Sequence, residues 1–326
     1  MRRGEANLAP DRFGLLLPRT ATFMTYRGRF APSPTGPLHF GSLVAATGSY
    51  LQARQQQGEW SVRIEDLDPP RTVPGAANTI LRTLEVFGLQ WDGAVVYQSQ
   101  RNADYEHALQ QLIAAGTAYP CSCSRSELLA LQDSPREGDE LRYPGRCRTG
   151  PLRPGGPYAW RFRVPDAPIS FTDLAQGHSE HCLPDSIGDF VIKRRDGLFA
   201  YQLAVVVDDA AQGITEVVRG ADLLSNTPRQ IALQQALRLP TPRYMHLPII
   251  VDANGQKLSK SQDAPSITAP HAASTLFLAL QHLQQMPPAS LQGAPVAELW
   301  QWAIAHWNPA AFAGLMQIAL SPNAIQ

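Results

Sequence analysis

The sequence predicts an α/β protein built on a parallel sheet, and three observations carry that prediction. Residues 26–64 run strand, loop, helix, strand, the order of a βαβ unit. The same alternation of apolar strands and helices returns after Phe199. The chain of 326 residues is 44% hydrophobic and 17% charged, the balance of a globular protein with one large core or two modest ones, which excludes disorder and collagen-like repeats. Lys and Arg number 28 and Asp and Glu 28, so the formal net charge is zero. No general excess of positive charge draws nucleic acid, and any contact with phosphate must come from a local basic face. No apolar run reaches the roughly 18 residues of a membrane-spanning helix, and residues 1–26 lack the apolar centre of a secretory signal. The expected location is therefore the cytoplasm. Four cysteines are too sparse for a disulfide scaffold, and Cys121 and Cys123 stand one residue apart, which suits reduced thiols or a metal site.

Element by element, residues 1–24 show no sustained period and are expected to form a flexible extension, with Met24 an alternative translation start. Tyr26 to Ala31 reads as a buried strand and Pro32 to Pro37 as a turn-rich loop. Leu43, Ala46, Tyr50 and Ala53 form one face of a helix ending at Gly58, and Trp60, Val62 and Ile64 alternate as a strand. A right-handed crossover then places ligands at the carboxyl ends of parallel strands. Helices are expected around Ala76–Phe87 and Asp104–Ala115. From Tyr119 to about Ile187 the character changes to cysteines, a Pro and Gly cluster between Pro144 and Pro157, and short strands such as Ala159–Val164, the signature of an insertion. The α/β pattern resumes with a helix Phe199–Asp209, a strand Ile214–Val218, a helix capped near Ser225 or Asn226 with Pro228 in its first turn, and a strand Met245–Val251. The 65 residues beyond Ser261 are rich in Ala, Leu and Gln and read as a small helical segment. The expected division is 1–24, 25–118, 119–186, 187–240 and 241–326.

Three motifs carry chemistry. Pro37-Leu38-His39-Phe40-Gly41-Ser42 sits where the first strand hands over to the first helix. There an imidazole and free backbone N–H groups meet phosphate with the helix dipole in favour, and Gly41, having no Cβ, admits a close approach. Taken alone, the same residues also serve loop packing. Lys257-Leu258-Ser259-Lys260-Ser261 follows a strand and a glycine turn, where two lysines can neutralise charge on a leaving pyrophosphate; an isolated pair of this kind is also a solvated basic loop. Cys121-Ser-Cys123 with Tyr143-Pro-Gly-Arg-Cys147 offers three thiolates and a further donor for a closed tetrahedral zinc site. His178, His181 and Cys182 are a competing donor set.

The first two motifs, in this order and about 220 residues apart, resemble the signature pair of the class I aminoacyl-tRNA synthetases. Arg29-Phe30-Ala31-Pro32-Ser33-Pro34-Thr35-Gly36, Arg63-Ile64-Glu65-Asp66-Leu67-Asp68, Tyr201 to Asp209 and Val218-Arg219-Gly220-Ala221-Asp222 narrow the likeness to the catalytic core of glutamyl-tRNA synthetases, over about Arg27 to Ser261. Ser42 and Leu258 depart mildly from the family's second His and its Met. The resemblance implies a Rossmann-like catalytic domain in two halves, 25–118 and 187–240, a zinc-binding and acceptor-like insertion at 119–186, and a small C-terminal helical segment.

A pocket for glutamate must hold two carboxylates and one ammonium in a partly dry site, where unpaired charge is costly, so it needs at least two cations and one acid. The resemblance supplies that set. It implies Arg29 and Tyr201 for the side-chain carboxylate, Glu65 for the α-ammonium and Arg219 for the α-carboxylate, with Ser33 nearby. An arginine fork also prefers a carboxylate to an amide, which selects Glu over Gln. His39, Gly41, Lys257 and Lys260 are implied for ATP and its magnesium, with His39 and Lys260 catalytic, and Tyr143 as the fourth ligand of one structural zinc. The 65 residues after the lysine motif are too few for the family's anticodon-binding region. That resembles a short paralogue of the core which attaches L-glutamate to the queuosine base at the wobble position of tRNA(Asp). A monomer with no membrane contact is expected. The rival readings are a shortened enzyme charging tRNA(Glu), a small-molecule nucleotidylyltransferase and a non-catalytic regulator.

Overall fold

The computed structural model describes residues 25–131, 141–252, 255, 267 and 269–319. The expected extension over residues 1–24, and Lys257 to Ser261, lie outside the described residues. Strand β1 (Arg27–Phe30) leads through the 31–38 loop into helix α1 (Phe40–Gln55) and strand β2 (Glu59–Ile64). β1 and β2 pair in parallel from Arg27 opposite Glu59 to Phe30 opposite Val62, so the βαβ unit forms as its pattern requires. After helix α2 (Ala76–Val86), strand β3 (Val96–Tyr97) extends the sheet in parallel. Helix α3 (Asn102–Ala114) follows.

The next stretch builds its own sheet. Strand β4 (Ala118–Cys121), helix α4 (Arg125–Leu129, opened by a Ser124/Glu127 capping box) and strand β5 (Ala159–Phe162) lead to the hairpin of β6 (Ile169–Asp173) and β7 (Gly177–His181). Helix α5 (Leu183–Ser186) and strand β8 (Phe190–Lys193) return the chain. β4, β5 and β8 are antiparallel neighbours. Helix α6 (Tyr201–Ala211), strand β9 (Glu216–Gly220), helix α7 (Thr227–Ala236) and strand β10 (Arg243–Leu247) then complete the main unit.

β9 and β10 pair in parallel from Glu216 to Gly220, and β6 joins β10 at Asp173 opposite Tyr244. β9 meets β1 where Thr215 donates its N–H to the Arg27 carbonyl at 3.0 Å. The strands therefore lie in the order β3, β2, β1, β9, β10, β6, β7. The chain winds one way from β1 and the other way from β9, and the carboxyl ends of these two strands open a crevice, the place where open α/β sheets bind ligands.

Helix α1 is buried nearly all round because both of its sides are covered. One side lies on the sheet, where a Cβ added at Gly48 would sit 2.5 Å from Leu247 Cδ1. Against the other pack helices α8 (Ala272–His282) and α9 (Val296–His306), with Tyr50 edge-on to Trp300 at 4.8 Å. Tyr105, Leu109, Leu203, Val206 and Ile231 form a second core between α3, α6 and α7. Among the described residues no helix is long and apolar enough to cross a membrane.

Three details differ from the expectation. The strand expected over Met245–Val251 breaks at Pro248, which has no N–H for a ladder. Its second piece, β11 (Ile249–Val251), pairs instead with β12 (Gln317–Ala319), a strand that the helical reading of the C-terminal segment lacked. Residues 169–181, inside the expected insertion, share the main sheet. Asn226 occupies the N-cap of α7, yet its side chain accepts from Gln202 at 2.6 Å instead of capping the helix.

Candidate active site

A cleft of about 480 Å³ lies at the carboxyl ends of β1 and β9 and the N-terminus of α1. Arg29, Ser33, His39, Gly41, Glu65, Tyr201 and Arg219 all line it, so the structure gathers residues from five separate stretches of sequence. Lys257 and Lys260 lie outside the described residues.

His39 is the N-cap of α1. Its Nδ1 accepts the Ser42 N–H at 3.2 Å, and its Nε2 lies 3.0 Å from the Ser42 hydroxyl. An accepting Nδ1 puts the proton of the neutral ring on Nε2, which then donates to Ser42. Ser42 thus orients His39 at the position where the family's pattern has a second histidine. A Cβ on Gly41 would lie 3.3 Å from the His39 ring, so glycine keeps both the ring and the helix end clear.

Deeper in the cleft, charge is arranged in pairs. Arg29 is 3% exposed and meets Asp209 through Nε at 3.1 Å. Behind it Arg63, fully buried, reaches Asp209 at 2.8 Å and Glu65 at 3.3 Å and faces Asp208 at 3.7 Å. Asp208 also accepts from Arg101 (2.6 Å), Gln98 (2.7 Å) and Tyr105 (2.8 Å). Burial pushes the Asp209 carboxyl upward, but Arg29 and Arg63 outweigh it and hold the group below its ordinary value. Glu65 goes the other way: burial raises it, and Arg63 and Arg29 recover only part. A carboxylate in that condition is stabilised by an arriving cation.

Arg219, 6% exposed, is held on several sides. Its Nε lies 3.1 Å from His246 Nε2, and its Nη atoms donate to Thr227 Oγ1 at 2.9 Å and to the Tyr201 hydroxyl at 3.3 Å. The motif strings contain Arg63, Asp208 and Asp209 without a role for them, and His246, Asp173 and Thr227 are residues of this site that motif reading missed. Two adjacent aspartates closing the apolar run of α6 were the available signal, because an acid pair in a buried helix implies buried cations.

A second constellation lies in the insertion. The sulfurs of Cys121, Cys123 and Cys147 are buried within 4.8 Å of one another. Two thiolates about 2.3 Å from a tetrahedral zinc stand about 3.8 Å apart; those of Cys123 and Cys147 are 3.7 Å apart. The Tyr143 hydroxyl lies 3.3 Å from Cys121 Sγ and 3.8 Å from Cys123 Sγ. Burial and then the neighbouring Cys121 push the Cys123 thiol up to about 11. For Cys147, burial is outweighed by hydrogen bonds from the Tyr143 hydroxyl and from the Leu152 and Ser122 backbone, which bring it down to about 6. Arg161 covers the Tyr143 ring at 3.8 Å and donates to Cys121 Sγ at 3.3 Å, tempering the negative charge of such a ligand set. This donor set fits a metal ion. His178 and His181 lie on β7, and neither they nor Cys182 belong to the cluster.

A doubly flanked parallel sheet with an anion-ready helix terminus and paired cations at its switch point defines a nucleotide-dependent enzyme acting on an acidic substrate. The family description "tRNA synthetases class I (E and Q), catalytic domain" matches residues 25–275, and the chain belongs to that family, as its motifs implied. Among the curated proteins it resembles are glutamyl-Q tRNA(Asp) synthetases. It is 56% identical over 291 residues to that of Geobacter sulfurreducens (87% of this chain, 92% of the relative) and 53% identical over 298 residues to that of Chromobacterium violaceum (91% and 98%). A glutamate tRNA ligase of Elizabethkingia meningosepticum, solved with its amino acid, has the same fold, with a TM-score of 0.77 at 24% identity over 93% of this chain and 68% of its own.

Proposed function

We propose that the chain activates L-glutamate with ATP and transfers it to the queuosine base at the wobble position of tRNA(Asp). The observation that carries the activation step is the cleft itself: two nearly buried arginines, a raised carboxyl at Glu65 and the Tyr201 hydroxyl stand beside the N-terminus of α1. That set matches the charges of glutamate, with Arg29 and Tyr201 taking the side-chain carboxylate, Glu65 the ammonium and Arg219 the α-carboxylate. The names of the relatives supply the acceptor.

In the first step an oxygen of the glutamate α-carboxylate attacks the α-phosphorus of ATP, the bond to the bridging oxygen breaks, and pyrophosphate leaves. His39, Gly41, Lys257 and Lys260 bind the nucleotide, with His39 and Lys260 stabilising the charge that gathers on the phosphates. Magnesium, bound with ATP, would supply further positive charge there. In the second step a hydroxyl of the queuosine ring attacks the activated carbonyl; AMP leaves and the hydroxyl proton passes to solvent or to the leaving phosphate. No protein nucleophile takes part. Cys121, Cys123, Tyr143 and Cys147 are the residues that would hold one zinc ion, whose contribution is structural because four protein donors fill its tetrahedron. The use of ATP and tRNA supports a cytoplasmic location.

The test is to incubate the protein with labelled glutamate, ATP and tRNA(Asp), with and without queuosine, and then remove the 3′ end by nuclease. Label that needs queuosine and survives the removal supports the proposal. Label on tRNA(Glu) refutes it.

A further inference from the structure

Arg219 is backed by two buried side chains that belong to no motif. His246 of β10 is fully buried, with Nε2 at 3.1 Å from Arg219 Nε and Nδ1 at 2.6 Å from Asp173 Oδ2. Arginine has donors and no acceptor, so Nε2 must accept the Arg219 Nε–H. The ring proton therefore sits on Nδ1 and is donated to Asp173. Asp173 Oδ1 in turn accepts the backbone N–H groups of Ala175 (3.0 Å), Gln176 (2.9 Å) and His246 (3.1 Å), which fix the carboxylate at the end of β6.

We propose that Asp173 and His246 are positioning residues for the amino-acid substrate: Asp173 locks His246 in the one tautomer that accepts from Arg219, and this sets the guanidinium at the cleft. The proposal rests on the reading of the cleft as a glutamate site. The groups facing His246 are of mixed charge. They are Asp173 on β6, Arg219 and then Asp222 at the end of β9, Thr227 on α7 and the stacked Tyr244 ring on its own strand. Burial and the Arg219 charge lower the imidazole below its ordinary value, against the pull of Asp173.

The test is steady-state kinetics of glutamate-dependent pyrophosphate exchange, with thermal melting alongside. Asp173→Asn keeps the size of the side chain and an oxygen for the backbone donors, but turns an amide N–H toward Nδ1. The ring proton must then move to Nε2, donor against donor with Arg219. A hydrogen bond to a charged group lost in this way is expected to raise the glutamate KM at least about tenfold, with the ATP KM within about twofold.

His246→Gln and His246→Asn give the same separation with Asp173 intact. Gln offers a carbonyl at the reach of Nε2 and is expected to hold the glutamate KM within about threefold, whereas Asn reaches only Asp173 and is expected to raise it about tenfold or more. A lowered melting temperature with an unmoved glutamate KM in Asp173→Asn and His246→Asn overturns the positioning role. Absence of glutamate-dependent exchange in the wild-type protein overturns the reading of the cleft, and the proposal with it.

Discussion

Replacing Asp209 by Asn removes one charge from the centre of the buried network without changing the size of the side chain. Asp209 lies 2.8 Å from Arg63 and 3.1 Å from Arg29, and its side chain is 7% exposed. At an effective dielectric constant of about 20 these contacts are worth about 6 and about 5 kcal/mol of gross attraction, most of it offset by the cost of drying three charges. With the aspartate, Arg29, Arg63 and Arg101 face Glu65, Asp208 and Asp209, three charges against three. The variant leaves one cation unmatched, and breaking a buried pair in this way costs about 3–5 kcal/mol. For a chain of 326 residues that is a fall in melting temperature of roughly 4–7 °C, read by differential scanning calorimetry.

The pH dependence follows from the direction of the Asp209 shift. Its carboxyl is held low in the folded protein, so its contribution is complete above the unfolded value of about 3.9 and is lost as pH falls through the lower folded value. The gap between wild type and variant is expected to be constant above about pH 5 and to narrow below about pH 4. A variant melting within about 2 °C of wild type at pH 7 would refute the view that this network is charge-balanced through Asp209.

Arg219→Lys removes the planar fork while keeping the charge. Glutamate-dependent exchange is expected to fall about a hundredfold in kcat/KM, and near-normal exchange would contradict a bidentate role. Cys147→Ser is expected to lower bound zinc from about one ion per chain to a small fraction, measured by atomic absorption, because a hydroxyl does not replace a thiolate ligand. Gly48→Ala forces a Cβ to 2.5 Å from Leu247 and is expected to cost about 1–3 kcal/mol in urea unfolding; an unchanged midpoint would mean that α1 and β10 separate easily. Affinity for tRNA is expected to fall steeply between 50 and 200 mM salt while the KM for glutamate stays flat, since the net charge is zero and RNA contact depends on local arginines.

What was legible in the sequence divides along a physical line. The elements around the cleft were readable because their patterns are local: Trp60, Val62 and Ile64 alternate, Leu43 to Ala53 repeat at helical spacing, and β1, α1 and β2 form where these patterns end. The residues facing the cleft were readable too, because motif strings carry them, and Arg29, Glu65, Tyr201 and Arg219 converge on one cleft. What escaped was the layer behind. Asp173 and His246 lie on β6 and β10, 73 residues apart. Their partnership exists only once the sheet places Asp173 opposite Tyr244 and His246 opposite Arg219. No local period encodes such pairing. β12 escaped for the same reason, since three residues following two helices show no alternation that separates a strand from coil until Pro248 frees β11 to receive them.

The order of the strands gives those hidden residues their weight. β6 belongs to the stretch that also carries the cysteine cluster, yet it is hydrogen-bonded into the main sheet, and its last residue is the aspartate that backs His246. An insertion docked only by surface contact would leave the cleft indifferent to it. Here a strand of the insertion is one layer away from Arg219, through two hydrogen bonds of 2.6 and 3.1 Å. A buried donor left without its partner costs about 1–3 kcal/mol, so the arginine and the hairpin stay in register together. One hairpin of the insertion and the group expected to meet glutamate are thereby parts of one sheet.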